Sequence, residues 1–288
     1  MSELKPKTKR KGNQKKILCN SIFHIMPVVY IIFYSLYGHV YTLSESVKQG
    51  LESQGITVKV FQVPETLSED ILEKMHAPPK RDIPVITVEE LSKADGFLFG
   101  IPTRFGTMPA QIKAFLDSTG QLWATGALAG KFVGTFFSTA AQSGGQETTA
   151  FTTITYFAHH GMNYVPLGFA NANMFDTTEV IGGSPYGSGT VANGDGSRQV
   201  SQKEKDIAST QGENFGKIIQ TFHKGSKILN GEASEPADKV QTIATETLSV
   251  EPPVVTEEKP KPAQESSRSV AIPADSDSPK KSSKCFCM

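Results

Sequence analysis

The side chains with chemistry to offer fall in three short polar stretches. They are Ser35-Leu36-Tyr37-Gly38-His39-Val40, Thr103-Arg104-Phe105-Gly106, and Ser138-Thr139-Ala140-Ala141-Gln142-Ser143-Gly144-Gly145. Hydroxyls and glycines recur in all three, and the flat side chains Tyr37 and Phe105, with Trp123 further along, interleave with them. Hydroxyls and glycine amides suit a phosphate and the polar edge of a ring, while flat side chains suit a planar aromatic ligand. No carboxylate pair, Cys/His nucleophile arrangement or metal-ligand spacing stands out, so no metal site is expected. The adjacent His159-His160 reads by itself as a helix-end or packing feature, and Trp123 as a core or interface residue. Neither G-x-G-x-x-G after the first strand nor the P-loop G-x-x-x-x-G-K is present. A mononucleotide with a flat ring, FMN in place of a dinucleotide, is therefore the expected ligand. The competing reading is an ordinary strand–helix unit with nothing bound.

The elements that must position these stretches follow from apolar periodicity. Val28-Val29-Tyr30-Ile31-Ile32-Phe33-Tyr34 reads as a strand buried on both faces. Val40, Leu43, Val47 and Leu51 then fall at helical spacing, with Gly55 ending the helix. A second strand is expected over Thr57–Val63, a Pro-containing excursion over 64–87, a third strand over Gly96–Gly100 and a fourth over Lys131–Ser138. A fifth strand is expected near Asn163–Leu167, followed by a long loop over 169–200 of functional or interface character. Helices are expected after Pro109 (Ile112, Phe115, Leu116), through Phe151, Ile154 and Phe157, and from Ser201 to about Ile228. Thr66/Glu69, Thr87/Glu90 and Ser201/Glu204 have capping-box spacing. Strands alternating with helices predict an α/β fold, a doubly wound parallel sheet of five strands with helices on both faces. In such a sheet ligands bind outside the carboxyl ends of the strands, where the three polar stretches fall.

The 288 residues allow one or two domains. Charge is balanced overall but not evenly: residues 1–25 carry seven Lys or Arg against Glu3, so +6, and the rest carries −6. A nucleic-acid footprint on the folded part is not expected. Three cysteines, Cys19, Cys285 and Cys287, make no disulfide framework and suit a reducing compartment. Ile17 to Leu36 is a weak membrane-span candidate that would consume the first strand, and a mitochondrial presequence would be richer in Arg and Ser. The favoured reading places the domain start at Met26, with 1–25 an extension or a mis-assigned start. Residues 232–284, rich in Pro, Ser, Thr, Glu and Lys, read as a disordered tether. The terminal Cys285-Phe286-Cys287-Met288 fits a C-a-a-X box with farnesylation of Cys285, and Lys280, Lys281 and Lys284 add a basic second signal.

Six segments carry a specific likeness: Tyr34–Val40, Val63-Pro64-Glu65-Thr66, Gly100–Gly106, Ala158-His159-His160-Gly161-Met162, Gly182-Gly183-Ser184-Pro185-Tyr186-Gly187 and Gly194-Asp195-Gly196-Ser197-Arg198-Gln199. In this order, from about Pro27 to Gly231, the chain resembles the WrbA family of flavodoxin-like NAD(P)H:quinone oxidoreductases. With its tail it is most similar to the fungal, membrane-associated branch. The resemblance implies a flavodoxin-like domain over 26–231 that binds FMN and takes NADH or NADPH as donor. Ser35 through Val40 would hold the phosphate, Thr103, Arg104 and Phe105 would bed the ring, and Ser138 through Gly145 would wrap its polar edge. His160 would approach the flavin, with His159 a weaker candidate. Tyr37 would also meet the nicotinamide nucleotide, and Trp123 would flank the pocket for nucleotide and quinone. The third turn departs from the glycine-dominated family pattern and reads a residue longer.

The implied activity is two-electron quinone reduction by ping-pong hydride transfer, in a homotetramer with pockets near subunit contacts and the 169–200 loop as a contact. The implied location is the cytoplasmic face of a membrane, the plasma membrane, with a cytoplasmic pool. The alternative is a flavin-binding electron carrier or membrane-associated scaffold with little turnover.

Overall fold

In the computed structural model the apolar run after Pro27 forms β1 (Val28–Phe33), and the periodic stretch after Gly38 forms α1 (His39–Ser53). The structure describes residues 26–231. The basic segment 1–25, the tail 232–284 and the terminal box with Cys285 lie outside the described residues. Next come β2 (Thr57–Gln62), α2 (Glu69–Lys74), β3 (Gly96–Pro102), α3 (Ala110–Asp117), α4 (Gly120–Ala124), β4 (Phe132–Thr139) and α5 (Gln146–His159). The short β5 (Asn163–Tyr164) and β6 (Gly183–Ser184), then β7 (Gly187–Val191) and α6 (Gln202–Leu229), complete the described chain.

The sheet runs β2-β1-β3-β4-β7-β6, with β5 also paired to β4. Every pair is parallel except the β6–β7 hairpin. An order that starts 2-1-3-4 is the flavodoxin-like form of the doubly wound sheet, with its switch point between β1 and β3. Side chains alternate across β1 as the pleat requires. Val29, Ile31 and Phe33 join Leu43, Val47 and Leu51 of α1 and Phe215 and Ile219 of α6 on one face. Tyr30 and Ile32 join Ile112 and Phe115 of α3 and Phe157 of α5 on the other. Helices α1 and α6 meet backbone to backbone through Gly50 and Gly212. A Cβ on either would lie 2.0 Å from the Ser209 carbonyl oxygen or 2.2 Å from that of Val47.

The fifth strand departs from its expected place. Only Asn163 and Tyr164 pair with β4, at Phe132 and Val133, while the other end of β4, Phe137–Thr139, pairs with Gly187–Val191. The fifth position is thus shared by two segments, the chain loops out between them, and the expected 169–200 loop contains the β6–β7 hairpin. Gly187-Ser188-Gly189-Thr190-Val191 has no apolar run to announce it because its neighbours leave no room for side chains. A Cβ on Gly187 would sit 1.9 Å from the Thr135 carbonyl oxygen, and one on Gly189 2.1 Å from Gln146 Oε1.

Of the three capping-box spacings, only Ser201/Glu204 closes in both directions. Helix α2 starts one residue after Ser68, not at Thr66, and Thr87 precedes a 3-10 turn (Val88–Lys93) with no side-chain cap bond. Pro109 is the cap residue of α3 and not its first helical residue.

Candidate functional site

The first turn, between β1 and α1, is closed by Gly38 at φ +93°, a cap residue with no side chain to give the helix it begins. Glycine takes this left-handed conformation without the clash a Cβ would bring. Ser35 Oγ accepts a bond from the Tyr41 amide at 3.2 Å, which fixes the turn against the helix. The amides at the start of α1 point outward, where the helix dipole favours a negative group. Tyr37 donates its hydroxyl to the Met75 carbonyl (3.1 Å), and His39 donates from Nε2 to the Arg198 carbonyl (2.8 Å). The Val40 side chain is in the core and that of Leu36 packs against it, so these two offer a ligand backbone only.

The second turn follows β3 and is tied to the third through the Thr103 amide, which donates to the Ser138 carbonyl at 2.8 Å. Thr103 Oγ1 also accepts from the Thr149 hydroxyl of α5 (3.1 Å). The Arg104 and Thr107 amides donate to each other's carbonyls, at 2.8 and 3.0 Å. This closes a tight loop with Phe105 and Gly106 at its tip, at φ +52° and +76°. Phe105 is 93% exposed. An aromatic residue held in the left-handed region costs about 1–2 kcal/mol, and its ring gains no burial in return.

The third turn leaves β4 at Thr139, whose hydroxyl donates to the Ala141 carbonyl (2.8 Å), while the Gly144 amide closes on the same oxygen (3.0 Å). Ala140, Ala141, Gln142 and Ser143 are exposed along this rim. Gly145, at φ +94°, caps α5. Gln146 anchors the turn from behind. Its Nε2 donates to Thr139 Oγ1 (3.0 Å) and the Thr190 carbonyl (3.1 Å), and its Oε1 accepts from the Gly183 amide (2.7 Å).

The three turns therefore stand together at the carboxyl ends of β1, β3 and β4, beside the switch point. A glycine-capped helix start, an exposed flat ring and a rim of hydroxyls and amides are the parts a mononucleotide with a planar ring requires, and the residues present fit FMN.

His160 and Trp123 do not join them within one chain. Helix α5 starts at the third turn and runs 14 residues away from it, roughly 21 Å at 1.5 Å per residue. It delivers His160 to the opposite, amino end of the strands, where the Gly130 amide meets the Gly161 carbonyl (2.9 Å) just before β4 begins. There His160 Nε2 lies 3.1 Å from Thr119 Oγ1, which also meets the Tyr156 hydroxyl (2.6 Å) and donates to the Leu116 carbonyl (2.6 Å). With its proton committed to Leu116, Thr119 accepts from the imidazole, which assigns the Nε2–H tautomer. Nδ1 is buried and has no partner among the described residues. Burial, and then the neighbouring His159, lower the His160 pKa, so the ring is neutral at pH 7. Burial also pushes the Tyr156 phenol up to about 12. Trp123 lies at this same end, its amide bonded to the Thr119 carbonyl (3.1 Å) and its side chain 59% exposed. Tyr37 stands at the carboxyl end, so Tyr37, Trp123 and His160 do not converge in one protomer.

Glu65 lies in one of the family-like segments, but the sequence gives it no role. Glu65 accepts bonds from the Tyr34 hydroxyl (3.1 Å), Gln111 Nε2 (2.9 Å) and the amides of Thr66 and Leu67 (2.9 and 3.1 Å). Burial alone would raise its pKa, but the bonds from Gln111, Leu67, Thr66 and Tyr34 together hold it below the ordinary 4.5. Burial and then the Glu65 charge raise the Tyr34 phenol, keeping it a donor. A carboxyl with a depressed folded pKa contributes stability that is complete above its unfolded pKa and lost as the pH falls through the folded value. Glu65→Gln is accordingly expected to cost about 1 kcal/mol in urea unfolding at pH 7. The gap to the unsubstituted protein should narrow as the pH falls from 4.5 through the lowered folded value. A gap that stays constant or widens on acidification would contradict this account.

Comparison with known proteins comes to the same place. The family described as NADPH-dependent FMN reductase matches residues 34–176, a span holding all three turns together with Trp123 and His160. The chain is 60% identical over 186 residues to quinone-oxidoreductase QR2 of Triphysaria versicolor, covering 64% of this chain and 91% of that one. It is 55% identical over 196 residues to NAD(P)H quinone oxidoreductase PST2 of Candida albicans, covering 68% and 98%. Among solved structures it is similar to a WrbA-like flavodoxin from Agrobacterium tumefaciens, at 20% identity and a TM-score of 0.47, covering 68% and 98%.

Proposed function

The chain belongs to the family of NAD(P)H quinone oxidoreductases, and on that premise we propose that it reduces quinones two electrons at a time, by a ping-pong sequence, at a membrane surface. It is an FMN-dependent enzyme with NAD(P)H as donor. When bound, FMN supplies the hydride chemistry between nucleotide and quinone. The chain supplies the binding groups. Ser35 through Val40 present backbone amides and the positive end of α1 to the phosphate. Phe105 gives the ring a platform, with Thr103 and Arg104 beside it, and Ser138 through Gly145 give its polar edge hydroxyls and amides. The observation that carries this reading is a glycine-capped α1 start after β1 and an exposed, left-handed Phe105 after the adjacent β3, one on each side of the switch point.

His160 and Trp123 reach this site in our reading only from a second copy, as in a homotetramer whose contacts bring one protomer's α4–α5 end to another's turns. Two features support that. Trp123 is exposed at that end, and Phe169 and Phe175 form an exposed stacked pair, 5.2 Å between centroids, on the excursion between β5 and β6. The test uses the full chain. Its flavin spectrum is recorded, then NADH and NADPH oxidation are followed with and without benzoquinone. Bound FMN with quinone-dependent turnover is expected; FMN without turnover would overturn the reading. Mixing a Phe105 variant with a Trp123 variant should restore activity if the site is shared. No restoration in mixed oligomers would refute sharing.

No helix among the described residues is long and apolar enough to cross a membrane. We assign attachment to prenylation at Cys285, giving a location at the cytoplasmic face of the plasma membrane beside lipid-soluble quinones. Cys285→Ser is expected to move the protein from the membrane to the soluble fraction on cell fractionation. Unchanged membrane association would remove the prenyl anchor from the account.

A further inference from the structure

A pocket of about 860 Å³ opens beside the first turn, on the side away from the second and third. Its walls are Ser35–Gly38, Tyr41 and Glu65, together with the excursion after β2, including Lys80 and Arg81. Arg81 is the unusual member. Its guanidinium carbon lies 4.0 Å from the centroid of the Tyr41 ring, a cation–π contact that parks the side chain against α1. A Cβ placed on Gly38 would lie 3.8 Å from Arg81 Nη2, so the cation sits beside the cap residue of α1. Three carboxylates share the wall, Glu65 and, on exposed positions of α2, Glu69 and Glu73. Glu65 takes bonds from Tyr34 and Gln111 and lies 3.8 Å from Lys80, while no Asp or Glu among the described residues is within ion-pair distance of Arg81. A planar, permanently charged fork held at a helix start and paired with none of these carboxylates suits a phosphate oxygen pair.

We propose that Arg81 is a phosphate-binding residue beside the first turn, closing on a phosphomonoester from the pocket side. This rests on the reading that the turn takes FMN, and goes beyond it by adding a cation from outside the three turns. Two phosphomonoesters are available to the enzyme, the 5′-phosphate of FMN and the 2′-phosphate of NADPH. The first would lie between Arg81 and the α1 amides, and the second would meet Arg81 from the pocket with the amides left to FMN.

The test is Arg81→Gln, with Arg81→Lys as the conservative variant, in the full-length protein. Flavin-free protein is titrated with FMN and with riboflavin, and KM is measured for NADPH and NADH with benzoquinone. If the flavin phosphate is the partner, R81Q weakens FMN by about 10-fold or more and leaves riboflavin unchanged, with R81K in between. If the nucleotide phosphate is the partner, FMN binding is unchanged and the KM for NADPH rises by a similar factor while that for NADH does not. Equal weakening of FMN and riboflavin would mean a structural role and overturn the proposal. So would unchanged binding together with an unchanged NADPH/NADH ratio. Failure of the unsubstituted protein to bind FMN at all would instead refute the parent reading, which keeps the two separable.

Discussion

Replacing Glu204 with alanine is expected to lower the unfolding free energy by about 3–5 kcal/mol, the range for breaking a buried charge pair from one side. The Glu204 side chain is fully buried, and both of its oxygens are saturated. Oε1 accepts from the amides of Gly182 (2.9 Å) and Val191 (3.2 Å), and Oε2 from the Thr190 hydroxyl (2.8 Å) and the Ser201 amide (2.9 Å). Arg198 Nη1 lies 3.0 Å from each oxygen. Alanine would leave these donors without an acceptor and the guanidinium without its counter-charge, in a place water does not reach. The damage is not confined to α6. Arg198 also donates to the carbonyls of Val191 (2.7 Å) and Val180 (2.6 Å), and its own carbonyl holds His39 at the start of α1. Loosening Arg198 therefore frees both β7 and the first turn, and FMN affinity should fall along with stability. Denaturant unfolding at pH 7 of the unsubstituted protein, Glu204→Ala and Glu204→Gln checks this. A loss under about 1 kcal/mol for the alanine variant would contradict it.

The second large effect has opposite signs for binding and stability. Phe105→Gly is expected to weaken FMN by about 10- to 100-fold, since stacking a base-like ring on an aromatic side chain contributes about 1–3 kcal/mol. The flavin-free protein should lose no stability and gain up to about 1 kcal/mol. The phenylalanine sits at φ +52° with its ring almost wholly in solvent, so glycine removes strain without removing packing. Flavin titration and thermal unfolding of the same preparations test both signs together. An unchanged FMN affinity would show that Phe105 is no platform, and a large stability loss would show that its ring packs in solution.

His160 and Trp123 show how a family likeness can name residues without locating them in one protomer. Their segments are legible as text, but a 14-residue helix separates the histidine from the turn where its role is expected. The same limit applies to Glu65, Gln146 and Arg81. Each is an ordinary polar residue in sequence, and each acquires its place only from partners 31 to 46 positions away in the chain, namely Tyr34, Gln111, Thr190 and Tyr41.

By itself the sequence determined the doubly wound sheet. Buried parallel strands must be apolar on both faces, and the helices that cover them must be periodic, and both patterns are local. It also marked the three turns, because left-handed caps demand glycine and phosphate sites favour hydroxyls near helix starts. Tertiary structure alone decided how the fifth strand is divided. The glycines of Gly187–Val191 are dictated by Thr135 and Gln146, which reach that segment from elsewhere in the fold, so no local pattern announces it. It alone decided, too, that the turns gather at the carboxyl ends of the strands while His160 and Trp123 stand at the amino ends. That separation is set by the length of α5 and the direction in which the sheet forces it to run.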